Sequence, residues 1–362
     1  MKIILRIIAA LTVFCISAFV LIQVPSVQDR IMTSVVAGMA NASNNLPQED
    51  ALSAAVCGSR SPIPSPERAE TCILVQAGDD LFVVDIGAGS SNNLGSWNID
   101  YGQIKAVLLT HLHSDHISDL PNLHLGAWIM ESRTDKLKVY GPKGVSKVTD
   151  GFEMAYDLDY GFRSEHHGEA IAPRKYAGFD SNTIDLSRPV LFDDGDLKIT
   201  AFKVIHEPIE PALGYKFEYK GRSLVITGDT SYSQSVIDNS RNVDVLFHEA
   251  QANHMVAVLE NFALQNGAKL RAKLMSDIKT YHTTLIEAAD IANKAAVKKL
   301  VFYHLTPAPR NYLTELMFVR GVDEVRKDWL LAKDGTLLVC LLYTSDAADE
   351  GLGVDLGGRR II

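Results

Sequence analysis

Three histidines and one aspartate fall within six residues, at His111, His113, Asp115 and His116. Imidazole and carboxylate are the ligands zinc takes at catalytic sites. In an extended segment His111 and His113 point to the same side, so both can reach one metal. Asp115 and His116 follow in the turn and can face a second. The apolar run Ile104–Thr110 lies directly upstream, so the cluster begins where a buried strand stops. A lone histidine is usually a satisfied core or surface residue. Four such groups at this spacing behind a strand predict a metal site.

Other strand-like runs end on polar residues. Leu197–Ile205 leads into His206, and Ser223–Thr227 into Gly228-Asp229. Val243–Phe247 runs into His248-Glu249, and Leu300–Tyr303 stops at His304. An α/β layered fold builds a site this way, each strand delivering one side chain to a shared edge. Ala54–Cys57 reads as a strand before Gly58. Cys72–Gln76 and Leu81–Asp85 around Gly78-Asp79-Asp80 read as a hairpin, as do Gly214–Tyr219 and Ser223–Thr227 around Lys220-Gly221. Leu137–Tyr140 is a further strand. Val145–Leu158 reads as a helix and residues 159–189 as loop-rich. Thr284 and Glu287 form a capping box that opens an alanine-rich helix to about Lys298. There is no internal repeat.

The chain has 362 residues and a net charge of −9, enough for one sizeable core. Acidity disfavours nucleic acid as the main partner, because phosphate binding is driven by Lys and Arg. A local basic groove remains compatible with it. Four cysteines, Cys15, Cys57, Cys72 and Cys340, include no Cys-x-x-Cys pair, which disfavours a cysteine-rich zinc site. Cys57 and Cys72 flank a loop and can pair in an oxidising compartment; two unpaired core residues is the slightly favoured reading.

The two ends read differently from residues 51–339, the expected catalytic domain. Residues 1–24 are almost wholly apolar behind Lys2 and Arg6, the pattern of a secretory signal or a membrane anchor. Pro25-Ser26 follows in place of a small-x-small cleavage site, which favours an uncleaved anchor. The basic N-terminus then stays inside and the domain is exported, anchored in the inner membrane and facing the periplasm. Val27, Ile31, Val35 and Met39 recur every four residues within segment 25–50, as in a short amphipathic helix, with a polar linker after it. Residues 340–362, CLLYTSDAADE and VDLGGRRII around a short spacer, read as translated sequencing-adapter DNA and are expected not to be native.

The histidine segment resembles the metallo-β-lactamase superfamily, and within it the ribonuclease Z-like branch. Asp85, in Val84-Asp85-Ile86-Gly87, matches the family's first motif, an aspartate behind the metals. His206, with Gly214-Tyr215 downstream, resembles the third-motif histidine. Asp229 in Thr227-Gly228-Asp229-Thr230 resembles the bridging aspartate, and His304 in Phe302-Tyr303-His304-Leu305 the last ligand. Phe247-His248-Glu249-Ala250 resembles the branch's His-Glu-Ala-Thr loop, with Gln251 for Thr, and Tyr281-His282-Thr283-Thr284 its His-Ser-Thr loop. The likeness spans roughly residues 54–310. It departs at Gly58-Ser59-Arg60-Ser61-Pro62, where the family often has Gly-Thr-Gly.

The resemblance implies a four-layer αββα sandwich holding two Zn2+, with Mn2+ or Fe2+ as alternatives. His111, His113 and His206 would hold one ion, Asp115, His116 and His304 the other, and Asp229 would bridge. A hydroxide shared by the metals would attack the substrate. His282 would protonate the leaving group with Glu249 orienting it, and Asp115 joins these two as a catalytic residue. Phosphodiester or related small-molecule ester substrates are expected, because an exported, acidic chain without a long basic arm fits transfer-RNA processing poorly. A β-lactam or sulfate ester is the alternative substrate, and a non-catalytic metal-binding protein the alternative class. The membrane is a partner through the N-terminal segment, and a homo-oligomer is compatible with the sequence.

Overall fold

The computed structural model describes residues 2–40, 44, 46–47, 50–131, 133–341 and 359–361. The chain divides into two units, Met1–Asn45 and Leu46–Ile362.

The first unit is two helices, Lys2–Ile22 and Pro25–Ala40. Proline at the first position of the second helix suits it, because that residue's missing N–H would have had no partner. The first helix has 21 residues and a mean hydropathy of 2.6, and none of it is buried. At 1.5 Å per residue it is about 30 Å long, the thickness of a bilayer core.

The second unit is built from two mixed sheets. The first contains β1 (Ala51–Gly58), β2 (Cys72–Ala77), β3 (Asp80–Val84), β4 (Ile104–Leu108), β5 (Leu137–Gly141) and β6 (Phe179–Thr183). The second contains β7 (Val190–Asp193), β8 (Leu197–His206), β9 (Ile209–Tyr219), β10 (Arg222–Ile226), β11 (Val245–Gln251), β12 (Lys299–Thr306) and β13 (Trp329–Leu331). The chain then returns to the first sheet with β14 (Leu337–Leu341), and β15 (Arg359–Ile361) lies beside it. The orders are β15-β14-β1-β2-β3-β4-β5-β6 and β13-β12-β11-β10-β9-β8-β7.

The central strands are buried on both faces, which explains their near-continuous apolar runs. Their inner faces share one core: Leu52, Val56 and Phe82 of the first sheet meet Tyr215, Phe217 and Val245 of the second. The outer face of the first sheet packs on Leu94, Leu120, Leu123 and Val145, from helices Ser90–Ser96, Leu120–Leu125 and Val145–His167. The outer face of the second packs on Val236, Ile237, Ala288, Ile291 and Phe318, from helices Gln234–Asn239, Leu285–Lys294 and Tyr312–Phe318. Helix, sheet, sheet and helix therefore stack as the four-layer α/β sandwich expected.

Both hairpins form in register, with Val75 opposite Phe82 and Leu224 opposite Phe217. The Thr284–Glu287 capping box is present, although its helix stops at Lys294. The region read as loop-rich is more ordered than expected. The helix begun at Val145 continues to His167, and β6 follows. It buries few residues, Tyr160 among them, so its apolar periodicity is weak over residues 159–167. Cys57 and Cys72 form a disulfide, against the slightly favoured unpaired reading; antiparallel pairing of β1 with β2 places Cys72 opposite Gly58, next to Cys57. Strand β14 runs past residue 339, since Cys340 pairs with Leu52 and Leu341 with Ala51. The remainder of the adapter-like stretch, residues 342–358 and 362, lies outside the described residues.

Candidate metal centre

The histidine segment leaves β4 at Leu108 and turns at once into a short helix, Ser114–Ile117. Its backbone is fixed from beneath. Asp85 accepts the Thr110 N–H at 2.8 Å and the Thr110 hydroxyl at 2.7 Å, and its Oδ2 lies 2.8 Å from His116 Nδ1. Asp85 holds a positive φ of 56°, a conformation of an L-residue that surrounding structure must enforce. It is fully buried, so every lone pair it spends on Thr110 and His116 orients the site.

The other site residues come from the second sheet. His206 ends β8 beyond a register shift after Val204. His304 is skipped in the pairing of β12 with β11, where Glu249 faces Tyr303 and Ala250 faces Leu305. It is a bulge residue with φ 46°, and such bulges re-aim side chains beside active sites. Asp229 follows Gly228, whose φ is 63°. A Cβ there would lie 2.7 Å from both the Leu213 carbonyl oxygen and Thr110 Cβ, so only glycine allows this approach.

These elements bring His111, His113, His206 and Asp229 within ligating distance of one another, and Asp115, His116 and His304 likewise. Asp229 touches both groups. Its Oδ2 lies 3.8 Å from His111 Nε2, 3.8 Å from His206 Nε2 and 3.4 Å from His116 Nε2. Its Oδ1 lies 3.3 Å from His304 Nε2. His304 Nε2 is also 3.3 Å from Asp115 Oδ2, and His113 Nδ1 is 2.9 Å from His111 Nε2.

Proton positions follow from the partners. The Tyr281 carbonyl can only accept, so the contact at 3.0 Å puts the proton of neutral His206 on Nδ1. Asp85 does the same for His116. The Thr110 hydroxyl, spent as a donor on Asp85, accepts from His111 Nδ1 at 3.1 Å. All three rings therefore turn Nε2 inward. His116 Nε2, His206 Nε2 and Asp229 Oδ1 are buried without a hydrogen-bond partner among the described residues. Buried polar atoms rarely stay unsatisfied, and converging lone pairs of imidazole and carboxylate are what a divalent cation satisfies. The donor set fits two such ions.

Charge follows the same geometry. Burial, then the neighbouring His116, lowers the His111 pKa well below the ordinary value, which keeps it in the neutral, ligating form. Burial alone would raise Asp229, but His304 and His116 hold it well below the usual carboxylate range.

His282 stands beside this cluster, within ligating distance of Asp229 and His304. Its Nδ1 contacts Glu249 Oε1 at 2.9 Å, and the same oxygen accepts the backbone N–H groups of Thr230 and Thr283 at 3.1 and 3.2 Å. Burial pulls the His282 pKa down, but the Glu249 carboxylate outweighs it and pushes the value up to about 9. Every site residue expected from the sequence therefore lies in one place. Sequence reading assigned no role to the Thr110 and Thr230 side and main chains, to the Tyr281 carbonyl or to the Tyr303 hydroxyl, which accepts the Gly228 N–H at 3.0 Å. Thr110 carries a signal, since it sits at the strand end just before the cluster; a backbone carbonyl carries none.

Residues 73–305 match the Beta-lactamase superfamily domain. The chain is 32% identical to Ribonuclease Z of Mycobacterium marinum over 253 residues, which cover 69% of this chain and 85% of the relative. It belongs to the metallo-β-lactamase superfamily, in the ribonuclease Z-like branch. Ribonuclease Z of Mycobacterium bovis is 31% identical over the same shares. Among solved structures, the metallo-β-lactamase fold protein YhfI of Bacillus subtilis is similar with a TM-score of 0.56 and 22% identity, covering 80% of this chain and all of that one. The short form of human tRNase Z follows at 0.52 and 20%, covering 79% and 98%. As a ribonuclease Z-like member of this superfamily, the chain is a metal-dependent hydrolase.

Proposed function

We propose that this ribonuclease Z-like protein is an exported, membrane-anchored dinuclear zinc hydrolase that acts on phosphodiester or related ester substrates. One observation carries the metal count: the Asp229 carboxylate reaches both ligand groups, Oδ2 lying 3.8 Å from His111 and His206 and 3.4 Å from His116, and Oδ1 3.3 Å from His304. His111, His113 and His206 would hold one ion, Asp115, His116 and His304 the second, with Asp229 between them. When bound, the two ions supply a water deprotonated near neutral pH and neutralise charge on the attacked group.

His282 then acts on the leaving group. With Nδ1 committed to Glu249, Nε2 is the ring atom left to hand a proton to the substrate, and the Glu249 carboxylate favours the protonated ring. Transfer of that proton to a departing alkoxide is general-acid work. The name Ribonuclease Z on the relatives supports a phosphodiester. The apolar 21-residue helix and the Cys57–Cys72 disulfide support export to an oxidising compartment.

The test uses the full detergent-solubilised chain, analysed for metal and assayed in parallel on a bis-aryl phosphate, an aryl sulfate, a chromogenic β-lactam, a lactone and a precursor transfer RNA. Two zinc ions per chain and fastest turnover of a phosphodiester are expected, with both lost in Asp229→Ala. Metal without hydrolysis of any substrate would make this a binding protein, and hydrolysis confined to the sulfate or lactam would overturn the substrate class.

A further inference from the structure

Between the end of β11 and His282 the chain forms a helical hairpin, Asn253–Gln265 and Lys269–Asp277. Its inner side is small: Val256, Ala263, Ala272 and Ile278 are buried. Its outer side is apolar and uncovered. Val258 is 66% exposed, Phe262 65%, Leu270 88% and Leu274 55%. Val258 and Phe262 are four residues apart, as are Leu270 and Leu274, so each pair makes a ridge on one side of its helix. Large apolar side chains grouped at a surface mark an interaction site.

The charge around these ridges is opposite to that of the chain. Residues 253–280 carry Lys269, Arg271, Lys273 and Lys279 against Glu260 and Asp277, in a protein of net charge −9. Both acids are already used, Glu260 by Lys279 and Asp277 by Lys273. Lys269 and Arg271 flank the most exposed leucine and form no ion pair among the described residues.

We propose that this hairpin docks on the surface of an anionic lipid bilayer. The apolar ridges enter the headgroup region, and Lys269 and Arg271 meet lipid phosphates. Helices that lie in the membrane interface pair an apolar face with Lys and Arg in this way. Nucleic acid would use the cations but leave the apolar ridges wet, and an apolar protein face would leave the cations unpaired. The inference rests on the membrane-anchored reading above. Thr280 is two residues before His282, so a docked hairpin places the chain leading into the catalytic site beside lipid headgroups.

Spin labels on the full chain test this in phosphatidylcholine vesicles with and without phosphatidylglycerol. Phe262→Cys and Leu270→Cys, each with Cys15→Ser, report the hairpin. Met154→Cys, 78% exposed on helix Val145–His167, is the aqueous control. The native Cys15, exposed on the first helix, reports the anchor separately. A severalfold rise in oxygen collision rate at positions 262 and 270 is expected only in anionic vesicles, and is lost with Lys269→Glu/Arg271→Glu. Aqueous labels at 262 and 270 alongside a hydrocarbon-buried Cys15 label overturn the docking and leave the anchor standing. Shielded hairpin labels with an aqueous Cys15 label overturn the anchor and leave the docking standing. Dipolar coupling between position-262 labels of different chains, present without lipid charge, assigns the ridges to a second copy and also overturns the proposal.

Discussion

Glu249 Oε1 lies 2.9 Å from His282 Nδ1 while also accepting two backbone N–H groups. Those two donors lock the carboxylate, and the carboxylate in turn locks the imidazole. His282→Ala is therefore expected to lower turnover by about 10²–10⁴-fold, the range of general-acid catalysis, with zinc content unchanged. Glu249→Gln should lower it less. The loss must be larger for substrates with alkyl leaving groups than for aryl ones, which need no proton. Equal losses on both would remove the acid role.

Asp85 touches the ligand cluster through Thr110 and His116, so its removal separates positioning from ligation. Asp85→Asn keeps the shape but weakens the hold on His116 Nδ1. Zinc affinity should drop about 10–100-fold, as when the partner of a ligating histidine is changed. Competition with a chromogenic chelator measures this, and excess zinc should restore turnover. Unchanged affinity would show that Thr110 alone holds the loop.

His124 predicts acid lability. It is fully buried, accepts the Gly178 N–H on Nε2 at 2.9 Å and stacks on Trp128. Burial, with help from Arg133 and Lys136, lowers its pKa to about 3. The unfolded chain, with a histidine pKa near 6.5, therefore binds a proton that the folded chain refuses. Its contribution is complete above about pH 6.5 and fades at about 1.4 kcal/mol per pH unit as pH falls toward 3. Denaturant melts across this window should show a shallower acid limb for His124→Gln, which keeps an acceptor for Gly178 but does not titrate. A limb of unchanged slope would place the acid sensitivity elsewhere.

The Cys57–Cys72 disulfide, with a sequence separation of 15, closes the connection from β1 to β2. Chain entropy alone assigns such a loop about 3 kcal/mol. Cys57→Ser/Cys72→Ser is expected to lose stability of that order by chemical denaturation, and reductant should lower the Tm of the natural chain but not of the variant. Equal melting with and without reductant would mean that the sheet already restrains the loop.

Much of the site was legible in the sequence because ligand chemistry is demanding. His111, His113, Asp115 and His116 are close in the chain, so their spacing alone implied convergence. Strand-ending residues such as His206, Asp229 and His304 could be matched one by one, since each closes an apolar run. What sequence could not supply was the register that joins them. The bulge at His304 and the shift before His206 arise from pairing between distant strands, and one residue of register turns a side chain to the opposite face. The same holds for the cysteines: Cys57 and Cys72 flank a loop in the sequence, but only the pairing of β1 with β2 brings their sulfurs together. The run from His111 to His116 by itself pointed to a metal site at a strand end. The resemblance already offered Asp229 as the bridge and His282 as the proton donor; tertiary structure decided that Asp229 lies within reach of both ligand groups and that His282 stands beside them, because those positions depend on how two sheets pack rather than on any local pattern.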